Sequence, residues 1–270
     1  TDGNYGTIKN VNAETVFVDN NLGTVDNVNS TNDWVHLANT GTIKNCSGNP
    51  FLEDQYNDGI IDNCHSTGTA IKAFGGQLGS FNKGTIKNCT STGNESFGQQ
   101  YATGVTENCT GGDKAFAATS GQIDFGNGLG VQGTYRNCRA GNNSFFGQNV
   151  STNGAKIIEA NYYNCTAEVN SFGFVNFAGA ETHFAGEAIG CIGGINTFST
   201  ANNGAAKILN GAVIENCIGG YNSFAGINGV NEGAILRCRT LNTGTAAFKA
   251  TGTGKVRLCL DGNYNEVNLG

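Results

Sequence analysis

One phrase, G-x-I-x-N-C, recurs along the chain and narrows what it can fold into. It stands as GTIKNC at 41–46, GIIDNC at 59–64, GTIKNC at 84–89, GVTENC at 104–109, GTYRNC at 133–138 and AVIENC at 212–217. Aligned on the last residue, twelve copies end at Val11, Val28, Cys46, Cys64, Cys89, Cys109, Cys138, Cys165, Cys191, Cys217, Cys238 and Cys259. All ten cysteines occupy this one position, while the interval between copies stretches from 17 to 29 residues. A constant phrase with elastic spacing is the signature of a solenoid, one coil per copy, whose length differences fall in the connecting segments.

Each column of the phrase has its own chemistry. Five residues before the anchor stands Gly in ten copies and Ala in two (Ala160, Ala212), which suits a close bend. Three before it the side chains are mostly Ile, Val or Tyr, with Thr106 the polar exception, so this column faces the core. One before it is Asn in nine copies and Gly190 in a tenth; these two residue types enter the left-handed region most readily. The chain is therefore expected to bend there and turn the anchor side chain inward. Phe recurs seven or eight residues after the anchor, as in SFG (96–98), KAF (114–116) and NSF (222–224), and Phe17, Trp34, Phe74 and Phe248 extend the series. This predicts a third strand carrying an interior aromatic stack.

The column two before the anchor ties distant residues together. Lys9, Asp26, Lys44, Asp62, Lys87, Glu107 and Arg136 alternate in sign over consecutive copies. In-register parallel strands place equivalent residues about 4.8 Å apart, where opposite charges help and like charges harm. The alternation breaks at Tyr163, Ile189 and Leu236, which loops or another subunit would cover. The resulting expectation is an all-β, right-handed single-stranded parallel β-helix (β-solenoid) of about 12 coils, with Cys, Ile/Val, Asn and Phe ladders, forming one domain over residues 1–270.

Composition agrees and removes several function classes. With 42 Gly among 270 residues and 13% charged side chains, the chain must turn often and is poorly suited to helices. A net charge of −6 and five Arg give no basic footprint for nucleic acid or an anionic membrane. No stretch approaches the roughly 18 apolar residues of a membrane span. Because it starts at Thr1 with no signal peptide, the chain reads as a processed or excerpted segment of a longer one.

Ten cysteines invite a disulfide framework, but parallel Cβ vectors about 4.8 Å apart exceed the usual Cβ separation of about 3.8 Å. Free thiols buried as small hydrophobes are expected. Neither a C-x-x-C pair nor His recurring with the Cys column supports a metal site, and DQYNDGIID (54–62) departs from a calcium loop at Tyr56 and His65. No metal or other cofactor is expected. Candidate acid pairs for glycoside cleavage are Glu53, Asp54 and Asp58, and Glu181 with Glu187 beside His183. None forms a recognisable constellation, so no catalytic residue is assigned and the chain leans away from being an enzyme. The sequons Asn88-Cys-Thr and Asn164-Cys-Thr fall on the corner Asn, read as buried by-products of the repeat.

Variation concentrates in segments 75–83, 117–132, 147–159, 173–185, 199–210 and 225–232, expected to be loops lining one edge. Repeat scaffolds build extended binding surfaces this way. Within or beside these segments, Tyr101, Phe125, Phe174, Phe177 and His183 are the candidate binding residues, since aromatic and amide side chains suit glycans.

The run G-x-I-x-N-C followed by S-F-G resembles the Cys-ladder repeats of bacteriophage tail-fibre and tailspike β-helices, and is also similar to the GLUG-type repeats of bacterial surface adhesins. The resemblance covers about residues 6–260. It implies a virion appendage assembled in the host cytoplasm, usually a homotrimer beside other virion proteins, that recognises a host cell-surface glycan or protein. Some such proteins cleave the polysaccharide; the catalytic constellation for that is missing here. An extracellular or cell-surface adhesin is the alternative.

Overall fold

A computed structural model of the chain describes residues 3–32, 34–48, 51–66, 81–93, 96–97, 99–100, 103–116, 129–148, 154–175, 180–200, 205–225, 229–243, 248 and 251–270. They form an all-β parallel solenoid with almost no helix. The chain packs as two compact units, Thr1–Ala117 with Gly133–Ala140, and Ala118–Gln132 with Gly141–Gly270.

In the first unit the repeated phrases pair in parallel in the order Thr24–Ser30, Thr42–Lys44, Ile60–Asp62, Thr85–Lys87, Val105–Glu107, Thr134–Arg136. Thr7–Ala13 lies on the free side of Thr24–Ser30. Every residue meets its own counterpart in the next copy, so Lys9, Asp26, Lys44, Asp62, Lys87, Glu107 and Arg136 form one column. Asp26 lies 3.7 Å from Lys9 and 3.6 Å from Lys44, and Asp62 lies 3.4 Å from Lys87. The Asn45 amide bonded to Asp26, helped by the two lysines, holds that carboxyl below its ordinary range.

In the second unit the phrase strands run Asn161–Tyr163, Glu187–Ile189, Val213–Glu215, Ala234–Leu236, Lys255–Leu260. An antiparallel strand, Glu266–Leu269, finishes this sheet. It follows a turn built on the buried Asp261 carboxylate, which accepts the backbone N–H groups of Asn263 (2.9 Å) and Asn265 (2.8 Å).

The corner works as its residue types predict. Asn10, Asn27, Asn45, Asn63, Asn88, Asn108, Asn137, Asn164 and Asn216 all have φ between 52° and 57°, and Gly190 has 67°. Their amides form an outer ladder, as in Asn27 to Asn10 (2.9 Å) and Asn63 to Asn45 (2.9 Å). These corner residues are exposed, which corrects the expectation that Asn88 and Asn164 are buried. The glycine column has a steric cause: a Cβ on Gly41 would lie 2.2 Å from the Gly23 carbonyl oxygen, and one on Gly59 2.1 Å from that of Gly41. At these two positions a Cβ would collide with the neighbouring coil's backbone, which favours glycine there.

Leu258 holds the corner conformation at φ 54° while 56% exposed, without the local hydrogen bonding that makes Asn tolerant of it. Leu258→Asn is therefore expected to stabilise the protein by about 1 kcal/mol, the left-handed penalty of a side chain with a Cβ. A rise in the chemical-denaturation midpoint checks this, and an unchanged or lower midpoint contradicts it.

Inside, the anchor cysteines and the column three before them are buried from Val25 and Cys46 onward. The rings stack as columns: Phe97 on Phe116 at 4.7 Å, and in the second unit Phe145, Phe172, Phe198 and Phe224 at 4.8, 4.9 and 5.0 Å, with Phe248 at 5.2 Å. Two expectations need correction. Phe17 is 64% exposed and lies outside this stack, and Phe97, Phe116, Phe145, Phe172, Phe198 and Phe224 sit in turns or bends with φ of 50° to 61°, not in a strand. Phe74 and the Trp34 side chain lie outside the described residues.

The additional sheet of each unit precedes the phrase. In the first unit it is Val16–Asn21, Trp34–Asn39, Phe51–Asn57, Phe81–Asn82, Gln99–Gln100. In the second it is Leu129–Val131, Gly154–Ile158, Ala180–Phe184, Ala205–Ile208, Gly229–Asn231. The variable segments thus end in strands where loops were expected. Alternation such as buried Thr182 and Phe184 around half-buried His183 supplies the reason: one face closes the core and the other meets water.

A second Asn ladder, inside the first unit, went unrecognised in the sequence. Asn4, Asn21, Asn39, Asn57 and Asn82 stand two residues before the corner glycine and bond amide to amide at 2.9, 2.8, 2.7 and 2.8 Å. Each from Asn4 to Asn39 also donates to a backbone carbonyl, those of Thr24, Thr42 and Ile60, so its buried polar atoms are satisfied.

Candidate functional site

The cysteines are the first candidates for chemistry. All ten are free and buried, and within each unit every thiol lies in hydrogen-bond reach of the next, as Cys64 does with Cys46 and Cys89. Burial, reinforced by neighbouring thiols, pushes Cys64, Cys109, Cys191 and Cys238 well above the ordinary thiol range. They remain protonated and inert as nucleophiles. A thiol-reactive dye is expected to label none of the ten rapidly in the native protein and all ten after denaturation; fast native labelling would contradict the buried ladder.

The outward columns face solvent. In the second unit the residue after each anchor forms the column Thr166, Ile192, Ile218, Arg239, Leu260. At the isolated bridges after the anchor successive side chains alternate, so Cys191 and Cys217 are buried while Ile192 (46% exposed) and Ile218 (45%) are exposed. Ile195, Tyr221 and Leu241 are also large, apolar and exposed. A groove of about 270 Å³ is lined by Gly193, Gly194, Gly219 and Gly220, with Ile195, Ile218, Thr240, Leu241 and Arg239 around them. Arg239 is braced: its guanidinium carbon sits 4.2 Å from the Tyr264 ring centroid and Nη2 donates to Tyr264 Oη at 2.7 Å.

His183 lies on a different face of this unit, in the strand Ala180–Phe184. Its Nε2 is 3.1 Å from Glu181 Oε2, its neighbour across the sheet is Lys207, and Lys207 pairs with Glu232 at 2.8 Å. Phe174 belongs to the strand Phe174–Val175, paired with Gly147–Gln148, but its side chain lies outside the described residues. Tyr101, Phe125 and Phe177 also lie outside them. The exposed residues Ile192, Ile195, Ile218, Tyr221 and Leu241 escaped the sequence reading because they flank the most regular part of the repeat, where CIGGINTF and CIGGYNSF read as scaffold. The signal was Ile in a column filled by Thr at Thr90, Thr110 and Thr166.

Of the candidate acids, Glu181, Glu187 and Asp58 have described side chains. Glu181 and Glu187 stand on separate strands with the Gly186 corner between them, and Glu187 accepts a hydrogen bond from Tyr163 Oη at 2.7 Å. Asp58 is exposed at a corner, and the Glu53 and Asp54 side chains lie outside the described residues. Among the described residues no group of three His, Cys, Asp or Glu is placed to hold a metal ion. The groove combines small and aliphatic residues with one cationic side chain, Arg239. No family model, curated protein or solved structure matches the chain.

Proposed function

We propose that the chain is a non-catalytic scaffold from a bacteriophage fibre or spike, presenting an outward face to a glycan or protein on the host cell surface. The observation that carries this reading is an exposed apolar strip, Ile192, Ile195, Ile218, Tyr221 and Leu241, set on a solenoid whose interior is locked by thiol and aromatic ladders. Exposed apolar groups gathered on one face of a rigid scaffold favour a binding role. The finer architecture belongs to the same reading: twelve right-handed coils, one for each copy of the phrase.

In a fibre or spike the chain would work as a homotrimer attached to other virion proteins. Native mass measurement tests the oligomer. Binding of the purified protein to host cells, with a parallel search for reducing ends or unsaturated products from host capsule, tests the function. Saturable binding without product release is expected. Product release would identify a polysaccharide-degrading tailspike, and display on a bacterial surface would identify an adhesin; either result displaces this reading.

A further inference from the structure

We propose that the glycine-floored groove of the second unit binds an acidic saccharide, with the sugar carboxylate held by Arg239. The inference rests on the receptor-binding reading and gives it a ligand class at one place.

Size argues first. The strip is five side chains, each only 44–56% exposed, which falls short of the ~800 Å² per partner that a stable protein interface buries. The groove, about 270 Å³, falls just below the roughly 300–1,000 Å³ of drug-sized ligand sites. It fits a sugar ring with its substituents rather than a folded partner.

Backbone bonding argues against an extended peptide. A peptide that adds itself to a sheet needs unpaired N–H and C=O groups. Here Gly193 N–H donates to the Ile218 carbonyl, Gly219 N–H to that of Arg239 and Gly220 N–H to that of Gly194, each at 2.8 Å. What remains is a flat floor beside the exposed Tyr221, suited to the apolar face of a sugar ring.

Charge then selects the sugar. Arg239 is the one charged residue lining the groove, and Glu168 meets the floor through its backbone carbonyl, which accepts from Gly194 N–H at 3.1 Å. The guanidinium carries five N–H donors. Nη2 donates one of its hydrogens to Tyr264 and Nε is buried, so a carboxylate would meet the Nη1 and Nη2 end of the guanidinium. Stacking on Tyr264 fixes the plane, which prepares a fork for a carboxylate that a lysine would not reproduce.

The test titrates the purified native protein with a trigalacturonate and with neutral maltotriose, by calorimetry and by following the backbone amides of Gly193, Gly194, Gly219 and Gly220. The uronate is expected to bind and shift those amides, with the neutral sugar at least tenfold weaker. Arg239→Gln should weaken uronate binding by about 10- to 100-fold, the range for a charged hydrogen bond, and Arg239→Lys should recover only part of it. Unchanged circular dichroism and thiol protection confirm that the variants fold, and the amide shifts need no variant. Equal binding of the two sugars, unaltered uronate affinity in Arg239→Gln, or capture of an acidic peptide in place of the uronate would each overturn the inference. If host cells still bind the protein in those cases, the receptor-binding reading survives; if they do not bind it at all, that reading fails on its own.

Discussion

Phe198→Ala is expected to lower the unfolding free energy by about 3–5 kcal/mol, the range for removing a fully buried aromatic ring. Phe198 is 1% exposed and lies between Phe172 at 4.9 Å and Phe224 at 5.0 Å, with its ring within 4° of parallel to both. Its removal deletes two stacking contacts and opens a gap that the coils above and below cannot close, because their spacing is set by the backbone ladder. The left-handed φ of 61° adds a diagnostic. Alanine keeps that strain and glycine relieves it, so Phe198→Gly should be no worse than Phe198→Ala, the reverse of the order in a strand. Chemical denaturation of both variants measures this; a cost below about 1 kcal/mol for Phe198→Ala would mean that the ring is not buried in a stack.

The second large effect concerns the inner amide ladder. Asn39→Ala is expected to cost about 4 kcal/mol, since each buried polar group left unpaired costs about 1–3 kcal/mol. Asn39 is fully buried; it donates to Asn57 Oδ1 at 2.7 Å and to the Ile60 carbonyl at 3.3 Å, and accepts from Asn21 at 2.8 Å. Alanine orphans the Asn57 oxygen and removes a bond from the Asn21 amide. Asn45→Ala is the control. It also belongs to an amide ladder, accepting from Asn63 at 2.9 Å, but water can replace its bonds because it is exposed. Its loss should cost about 1 kcal/mol, mainly from the left-handed corner. Equal costs at the two positions would contradict the assigned burial.

Particular residues show why some features were legible and others were not. The charged column from Lys9 to Arg136 and the Asn corner could be read because each has a chemical property that survives without coordinates, alternating sign in one and tolerance of positive φ in the other. The inner ladder Asn21, Asn39, Asn57, Asn82 was equally periodic, in NLG, NTG, NDG and NKG. It was missed because Asn before Gly also reads as an ordinary turn, and only burial distinguishes the two. The phenylalanine column was recognised as a stack but misassigned to a strand, since a bulky residue rarely adopts φ near 55° unless packing holds it there.

The candidate site was the least legible part. His183 was singled out and lies on an outward face with Glu181 and Lys207, whereas the strip around Ile218 was not foreseen. An isoleucine in a strand of three or fewer residues gives no sign of which way it faces; the turn beside it decides.

The amino-acid sequence alone determined the stacking, because in a parallel in-register array each column meets itself and its recurrence is already a contact. Tertiary structure alone decided how the variable segments close the core, that the stacked phenylalanines sit in turns, and which apolar side chains remain in water. Those outcomes depend on the φ of single turn residues and on spacing between coils, and neither repeats with the phrase.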